Sequence, residues 1–489
     1  MHVPRLSQKI VVGTVFVSAM FMNIMDITIV NVALPTIGRD FHIAPTAVDG
    51  IVIAYLVSLA VFIPASGWLG DHFGGKRVLL VAIMVFTLGS VLCGVAQSMT
   101  QLVVFRVIQG AGGGMMAPVG MAMLYRVFPP SERVRAASIL TIPTTMAPAL
   151  GPVLGGFLVT DLSWRWVFFV NLPLGIAAII FGALFLERIG AGDAGRFDLP
   201  GFLLGGAGLG SLMYAVSKGP FASWSSPEIV ITGLAGMALL VIFVVVELHT
   251  EQPMVDLRLL SGRLFRSTNL VMFLAAAAFL GMLYLIPLYF QDARGLTPLQ
   301  SGLSTFPEAF GVMIGAQFAS RLIYPRIGPR RHVTGGLVGI ALCMLTLTQV
   351  TVATNLWFIR ALMFLLGWMM AQVMVPNQAA SFAMIPSESM GRASTFFNTM
   401  RQVGSATGVA VLSTVLIGVG SSQTASGGAA PDMNAYHLAF FTAALFALAG
   451  AAFSLTIHDS DAAETIVRRS PRRARGRIPE PAHIQERVA

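Results

Sequence analysis

The chain has 489 residues, of which 55% are hydrophobic and 11% are charged, and its mean hydropathy is +0.78. Soluble domains carry roughly 25% charged residues, so this composition excludes a soluble enzyme and indicates a protein of the lipid bilayer. The formal net charge of +9 indicates basic residues gathered on one side of a membrane and no nucleic-acid partner.

Uncharged apolar runs recur along the chain, and crossing a bilayer as a helix takes about 20 such residues. Solid runs favour helices over the alternating strands of a membrane barrel. The predicted fold is an all-α membrane protein with fourteen transmembrane helices. Their predicted ranges are 11–34, 47–69, 78–97, 101–124, 137–159, 166–186, 199–218, 228–248, 268–290, 302–325, 333–353, 356–380, 395–419 and 436–457.

The positions of lysine and arginine predict the orientation. Of the 31 such residues, 23 fall in the termini and the loops on the N-terminal side, 4 in the opposite loops and 4 within spans. Loops in the cytoplasm are enriched in these residues. Both termini are therefore predicted to be cytoplasmic, and 459–489 is predicted to be a basic disordered cytoplasmic tail.

The stretch Leu102–Pro118 carries a full charge, Arg106, inside an apolar segment. A charge at the centre of a membrane helix costs about 3 kcal/mol or more, which indicates a functional role. Helical spacing places Gln109 and Gly113 on the same face as Arg106. Glycines on such a face allow a second helix to approach closely.

The two halves of the chain repeat one another. Arg106 precedes Met115-Met116-Ala117, and Arg360 precedes Met369-Met370-Ala371, each 254 residues later. Internal repeats are typical of membrane transporters. The pattern predicts an intramembrane arginine in a corresponding helix of each half.

Asp26 and Glu308 are the two acidic residues well inside predicted spans. At a rise of about 1.5 Å per residue, Asp26 lies about 12 Å, Glu308 about 9 Å and Arg106 about 8 Å from the outer helix ends. A carboxylate and an arginine at similar depth can pair if their helices are neighbours. Asp26 is therefore the candidate proton carrier, and Glu308 is a candidate contact for cations. For Asp26 the alternative is a structural polar contact to another helix, and for Glu308 it is a position near the outer helix end that faces water.

The segment Gly67–Leu80, GWLGDHFGGKRVLL, predicts a helix end, a glycine-rich turn carrying Asp71, Lys76 and Arg77, and a new helix. It resembles the signature G-x-L-a-D-r-x-G-r-k between spans two and three of the major facilitator superfamily. The matching residues are Gly67, Leu69, Asp71, Gly74 and Lys76. The resemblance implies that this loop gates a conformational change.

The segment Ala147–Leu158, APALGPVLGGFL, resembles the antiporter signature G-x-x-x-G-P-x-x-G-G of the same superfamily. Proline kinks a helix, and glycines four residues apart form a close-packing face. In the family this signature marks exporters rather than uptake systems. The matching residues are Gly151, Pro152, Gly155 and Gly156.

Met25–Pro35, MDITIVNVALP, resembles the first-span signature of the fourteen-span drug:proton antiporters of EmrB/QacA type. Three further segments, Leu102–Gly113, Trp164–Gly175 and Asn398–Val409, resemble other signatures of that group. The resemblances cover most of residues 11–187 and extend more loosely into the second half.

This resemblance implies two six-helix bundles, 1–187 and 268–458, with two inserted helices and linkers over 188–267. It implies export of small amphipathic or cationic compounds from the cell through the inner membrane, driven by the proton gradient with no other cofactor. A membrane-fusion accessory protein is a candidate partner. Asp26 and Arg106 are expected to couple the proton. Candidate substrate or proton contacts are Glu308, Gln109, Asn31, Arg360 and Arg401.

Three other functions remain open from the sequence: a narrow exporter of an endogenous metabolite or antibiotic, an uncoupled facilitator, and a membrane enzyme. The enzyme is the weakest, because the chain has no H-E-x-x-H motif, no nucleophile triad pattern and no phosphate-binding G-x-x-x-x-G-K-[ST]. No catalytic residue and no metal site are predicted.

Overall fold

The computed structural model describes residues 6–43, 48, 50–187, 195–420 and 433–466. Over these ranges the chain forms fourteen long helices and no strand, which confirms the all-α class. The helices are α1 Gln8–Asp40, α2 Gly50–Phe73, α3 Gly75–Val95, α4 Met99–Val127, α5 Arg133–Phe157, α6 Trp166–Phe185, α7 Leu199–Ala222, α8 Pro227–His249, α9 Arg263–Leu288, α10 Pro298–Phe318, α11 Tyr324–Leu347, α12 Leu356–Ser381, α13 Met390–Gly420 and α14 Met433–Ser454.

Eleven of the described helices are long and apolar enough to cross a membrane. The other three are α5, α10 and α11, so the count of fourteen spans stays a prediction. The largest boundary difference is in α11, which begins at Tyr324 instead of near residue 333. The helix continues through a kink at Gly328, whose φ of +73° is accessible to glycine at no steric cost.

The packing of the first six helices recurs in the last six. In the first half α1 packs on α5, and both α2 and α3 pack on α4. The same contacts return as α9 on α13, and α10 and α11 on α12. The halves meet where α2 and α4 contact α13, and where α5 contacts α10 and α12. This twofold pattern is what a duplicated six-helix unit gives.

The inserted helices α7 and α8 pack on each other, and α7 also contacts α2 and α13. Gly206 and Gly210 of α7 lie against Val61 of α2. At the turn between α7 and α8, the Trp224 indole N–H donates a hydrogen bond of 2.8 Å to Thr414 Oγ1 of α13. The inserted pair therefore touches both halves. The domain boundaries themselves stay predictions.

Glycines set the spacing of α4. A Cβ at Gly114 would lie 2.5 Å from the Leu59 carbonyl oxygen of α2, and one at Gly112 would lie 2.5 Å from the Phe86 nitrogen of α3. No side chain fits at either position, so the backbone of α4 packs directly against the backbones of α2 and α3. This close packing is what the glycine-rich face of the sequence predicts.

The predicted basic tail over 459–489 lies mostly outside the described residues, since only 459–466 of it is described.

Candidate functional site

The centre of the first half is a buried ion pair. Arg106 Nη1 of α4 lies 2.6 Å from Asp26 Oδ2 of α1, and the two side chains are 1% and 0% exposed. Asp26 lies near the middle of α1, and Arg106 lies in the third turn of α4. The sequence placed these groups at similar depth, and the contact of α1 with α4 brings them together.

Two side-chain amides also donate hydrogen bonds to Asp26. Gln109 Nε2 donates to Asp26 Oδ1 at 2.8 Å, and Asn171 Nδ2 of α6 donates to the same oxygen at 3.1 Å. Gln109 also accepts a bond of 2.8 Å from Arg106 Nη1. Asn171 is held by Ser90 Oγ of α3, 3.1 Å away. The carboxylate thus accepts three hydrogen bonds, the arrangement of an ionised group.

Aromatic rings enclose the arginine. The Arg106 guanidinium carbon lies 4.7 Å from the ring centroid of Tyr55 and 5.4 Å from that of Phe168. Ring faces attract a cation, most strongly where water is excluded. Taking both charges out of water is costly, and the paired geometry with its additional hydrogen bonds offsets that cost.

Gly113 of α4 leaves space for two buried polar side chains next to the ion pair. A Cβ at Gly113 would lie 2.6 Å from Asn23 Nδ2 and 2.8 Å from Tyr55 Oη. Neither polar atom has a hydrogen-bond partner among the described residues, although both are buried. Unpaired buried polar atoms are uncommon, and an ordered water or a bound ligand is one explanation for them.

The geometry makes a proton and Arg106 competitors for one carboxylate. The described hydrogen-bond partners of Asp26 are all donors, so none of them could accept a bond from a carboxyl O–H. Protonation would remove the charge that holds Arg106 and would turn one oxygen into a donor. The pair can therefore act as a switch in which binding a proton releases an arginine.

The antiporter segment lies directly beside this pair. A Cβ at Gly151 of α5 would lie 2.1 Å from Thr28 Oγ1 of α1, and one at Gly155 would lie 3.1 Å from the Ile29 carbonyl oxygen. At these two glycines α5 packs directly against α1, within one helical turn of Asp26. Gly156 differs, since a Cβ there would meet nothing within 4 Å. Pro152 lies within α5 between the two packed glycines.

The predicted gating loop is shorter than the sequence suggests. Asp71 belongs to the last turn of α2, and Lys76 and Arg77 belong to the first turn of α3. Gly74 alone lies between the two helices, with a φ of +86° that favours glycine. The prediction that a turn carries these charges is therefore wrong, because the helices continue to within one residue of each other.

Asp71 connects the two halves. Its Oδ1 accepts a bond of 2.6 Å from Arg126 Nη2, and the Arg126 Nε donates to the Ser387 carbonyl oxygen at 3.2 Å. A Cβ at Gly391, in the first turn of α13, would lie 2.7 Å from Asp71 Oδ2. A carboxylate at a helix N-terminus is stabilised by the helix dipole. Lys76 instead donates to the Ala183 and Leu186 carbonyl oxygens at the end of α6.

Further bonds join the halves at the same end. Ser394 Oγ of α13 donates to the Pro118 carbonyl oxygen of α4 at 2.8 Å. Gly67 of α2 approaches α13 so closely that a Cβ would lie 2.7 Å from Thr395 Oγ1. Arg133, at the start of α5, donates to the Phe382 and Ala383 carbonyl oxygens just after α12. The two bundles are in close contact at the Asp71 end of the molecule.

The second half does not repeat the ion pair. Arg360 is only partly buried, and its guanidinium contacts Ser304 Oγ at 3.3 Å and the ring of Trp357 at 4.7 Å. Glu308 is 4% exposed, and its Oε2 has no hydrogen-bond partner among the described residues. The two related arginines therefore have different surroundings.

Two other candidates lie apart from the Asp26 network. Asn31 is exposed on α1, and Arg401 is partly buried on α13. No hydrogen bond or ion pair of either side chain occurs within the described part of the chain. Their role as substrate or proton contacts stays a prediction.

Sequence reasoning missed several members of the network. Asn171, Ser90 and Tyr55 are buried polar residues in otherwise apolar helices. Asn171 even lies within Trp164–Gly175, a segment singled out above, but its contact with Asp26 depends on how α6 packs. Cys93 also touches the network, with its Sγ 3.6 Å from Gln109 Oε1. Across the described residues no group of three histidine, cysteine or acidic side chains could hold a metal.

The sequence also matches the profile of a known protein family, in agreement with the fold and the site. The sequence profile of the Major Facilitator Superfamily matches residues 16–409. The chain belongs to the major facilitator superfamily. This superfamily consists of membrane transporters, so the protein is an integral membrane transporter for small molecules and not an enzyme.

Several curated relatives of this major facilitator protein are named for multidrug resistance. One is the multidrug resistance protein B homolog of Mycobacterium tuberculosis, 33% identical over 406 residues, or 82% of this chain and 75% of the relative. Another is the multidrug resistance protein Stp of the same species, 34% identical over 410 residues, or 81% of this chain and 74% of the relative. The predicted resemblance to drug-exporting members is confirmed at this level.

Among solved structures, the human organic anion transporter MFSD10 (TETRAN) has a similar fold. The TM-score is 0.64 with 15% sequence identity, covering 91% of this chain and 99% of that one. At this identity the likeness establishes the major facilitator fold alone.

Proposed function

We propose that this major facilitator protein is a proton-coupled antiporter that exports small amphipathic or cationic compounds. The observation that carries the proposal is the occluded Asp26–Arg106 pair with its three donors to one carboxylate. The drug-resistance names of the relatives support the substrate class. The pair supplies the acid group that an exchange of a drug for a proton requires.

The proposed cycle follows from competition for Asp26. With the cavity open to the outside, a proton binds Asp26 and frees Arg106 from the carboxylate. The two halves then rock against each other, as in other transporters built from repeats. In the cytoplasm the proton leaves, the Asp26–Arg106 bond forms again, and substrate binds for the next export step.

The contacts at the Asp71 end would hold one state of this cycle. With both termini inside, that end lies in the cytoplasm, and the bonds of Arg126 and Arg133 keep the cytoplasmic entrance closed. Opening this entrance requires α13 to leave Asp71 and α12 to leave Arg133. Gly67 of α2, Gly74 between the helices and Arg77 of α3 lie where this movement occurs.

Two alternatives share the fold. A narrow exporter of an endogenous metabolite would use the same proton site, and a drug-susceptibility panel on a deletion strain distinguishes it from a multidrug exporter. An uncoupled facilitator would move substrate without protons, and the buried ion pair would have no use in it. Proton movement in proteoliposomes separates coupled from uncoupled transport.

Single cysteines test the proposed topology of fourteen spans with cytoplasmic ends. In a background without the buried Cys93 and Cys343, a cysteine at position 421 is expected to react with an impermeant maleimide from outside. A cysteine at position 470 is expected to react only after the membrane is permeabilised. Labelling of Ser421→Cys and Ser470→Cys from one side would overturn the topology.

Glu308 is expected to favour cationic substrates. Because its buried Oε2 lacks a partner among the described residues, this oxygen is free to contact a ligand. Glu308→Gln should reduce efflux of ethidium by about ten-fold, equal to about 1.4 kcal/mol, with less effect on a neutral compound. The exposed Glu388→Gln is the matched control. An equal loss for charged and neutral compounds would remove Glu308 from the substrate site.

A further inference from the structure

We infer that an anionic phospholipid of the cytoplasmic leaflet binds in a crevice between α1 and α5. The crevice, called here the α1–α5 crevice, has a volume of about 710 Å³. This volume lies within the range of about 300–1,000 Å³ that is usual for ligand pockets. Its central lining residues are Gly13, Thr14, Val17, Phe21, Ile139 and Met146.

The crevice exists because α1 and α5 diverge. At Gly151 and Gly155 the two helices are in backbone contact. Toward Gln8 and Arg133 they separate, and a Cβ added at Gly13 would meet nothing within 4 Å. No described side chain therefore fills the gap at this point, and the space is available to another molecule.

One wall of the crevice suits an acyl chain. Ile10, Thr14, Val17 and Phe21 follow one another at spacings of three and four residues, so they share one face of α1. Ile10 is 60% exposed and lies among the lining residues. An exposed, mostly apolar helix face inside a bilayer contacts lipid.

The mouth of the crevice has an unbalanced positive charge. Lys9 Nζ and Glu132 Oε2 form an ion pair of 2.6 Å, so their charges offset each other. Arg135 also lines the mouth and is exposed, and its guanidinium has no hydrogen-bond or ion-pair partner in the described ranges. The net charge of +1 beside an apolar wall matches an anionic headgroup attached to an acyl chain.

The placement in the cytoplasmic leaflet rests on the topology of the proposed function. Under that topology the ends of α1 and α5 that form the mouth lie at the cytoplasmic surface. Basic pockets between transmembrane helices on this side bind anionic lipid headgroups. A water-soluble anion would use Arg135 but gain nothing from Val17, Phe21 or Met146.

The test is photolabelling of the full-length protein in nanodiscs. Two probes carry a diazirine on the acyl chain, phosphatidylglycerol and phosphatidylcholine. We expect phosphatidylglycerol to label the peptides of residues 10–21 and 139–146 about five-fold more strongly, the effect of one cationic side chain at a membrane surface. Arg135→Gln should reduce this labelling to the phosphatidylcholine level. Gly13→Trp should remove labelling by both probes.

Matched controls lie on α11. Arg331 is an exposed arginine, and Gly335 is a second glycine whose added Cβ would meet nothing within 4 Å. Arg331→Gln and Gly335→Trp should leave labelling of α1 and α5 unchanged. Absent labelling, equal labelling by the two probes, or full labelling of Gly13→Trp would each overturn the proposal.

A second outcome concerns the chain itself. If the wild type is not labelled but a variant lacking residues 2–5 is, the crevice holds the N-terminal segment, and the lipid proposal is overturned. The labelling uses no drug and no proton gradient. A protein that failed to couple protons would therefore still give the labelling expected here, so the two proposals fail independently.

Discussion

Arg106→Ala is expected to abolish uphill transport while the protein still reaches the membrane. The substitution leaves the Asp26 carboxylate, 0% exposed, without its cation. Breaking a buried ion pair by removing one partner costs about 3–5 kcal/mol of folding stability, and without Arg106 no cation is left for Asp26 to hold and release, so uphill transport is expected to be lost. The measurement is ethidium efflux normalised to the amount of protein in the membrane.

Two further variants sharpen this result. Arg106→Lys keeps a charge but lacks the planar guanidinium that contacts Asp26 and Gln109 and lies over the Tyr55 ring, so partial activity is expected. Arg321→Ala is the control, because Arg321 is an exposed arginine in the segment after α10. Full activity of Arg106→Ala would show that the pair serves packing alone.

Asp26→Asn is expected to lose accumulation of drug driven by an imposed pH difference. Asparagine keeps the size and one acceptor oxygen but cannot carry the proton. Downhill exchange of drug should persist, because movement of drug down its own gradient needs no bound proton. Accumulation is measured in proteoliposomes with a pH difference across the membrane, and substrate binding is measured on the same preparation.

Stability requires its own control, because Asp26→Asn leaves Arg106 buried and unpaired. The double variant Asp26→Asn/Arg106→Gln removes both charges and replaces them with neutral groups that can hydrogen-bond. Such replacement of a buried pair is often tolerated. This variant should elute as a folded protein in size-exclusion chromatography and should remain uncoupled. Drug accumulation by either variant would place the proton site elsewhere, and Glu308 would be the next candidate.

Much of the fold was predictable because a bilayer demands long apolar helices. Each described helix corresponds to one predicted run, and the differences lie at helix ends, as at Tyr324 of α11. Helix ends were less predictable because the sequence does not show how few residues a connection between two helices needs. Gly74 shows this, since one residue with a positive φ replaces the turn that the sequence predicted.

The site was predictable in part. The pairing of Asp26 with Arg106 was predicted from their similar depth, on the condition that their helices are neighbours. The roles of Asn171 and Ser90 could not be foreseen, because an amide in an apolar helix gives no sign of which helix it faces. The different surroundings of Arg106 and Arg360 could not be predicted either, because the sequence repeat relates the two arginines but not the residues that contact them. Those partners, Asp26 and Ser304, stand at unrelated positions.

The central claim is that the Asp26–Arg106 pair exchanges a proton for a drug. The most direct measurement is the pH change inside proteoliposomes when ethidium is added outside with no gradient imposed. We predict that protons move in the direction opposite to ethidium in the wild type. In Asp26→Asn we predict no proton movement when ethidium is added. Ethidium transport by the wild type without proton movement, or unchanged proton movement in Asp26→Asn, would contradict the claim.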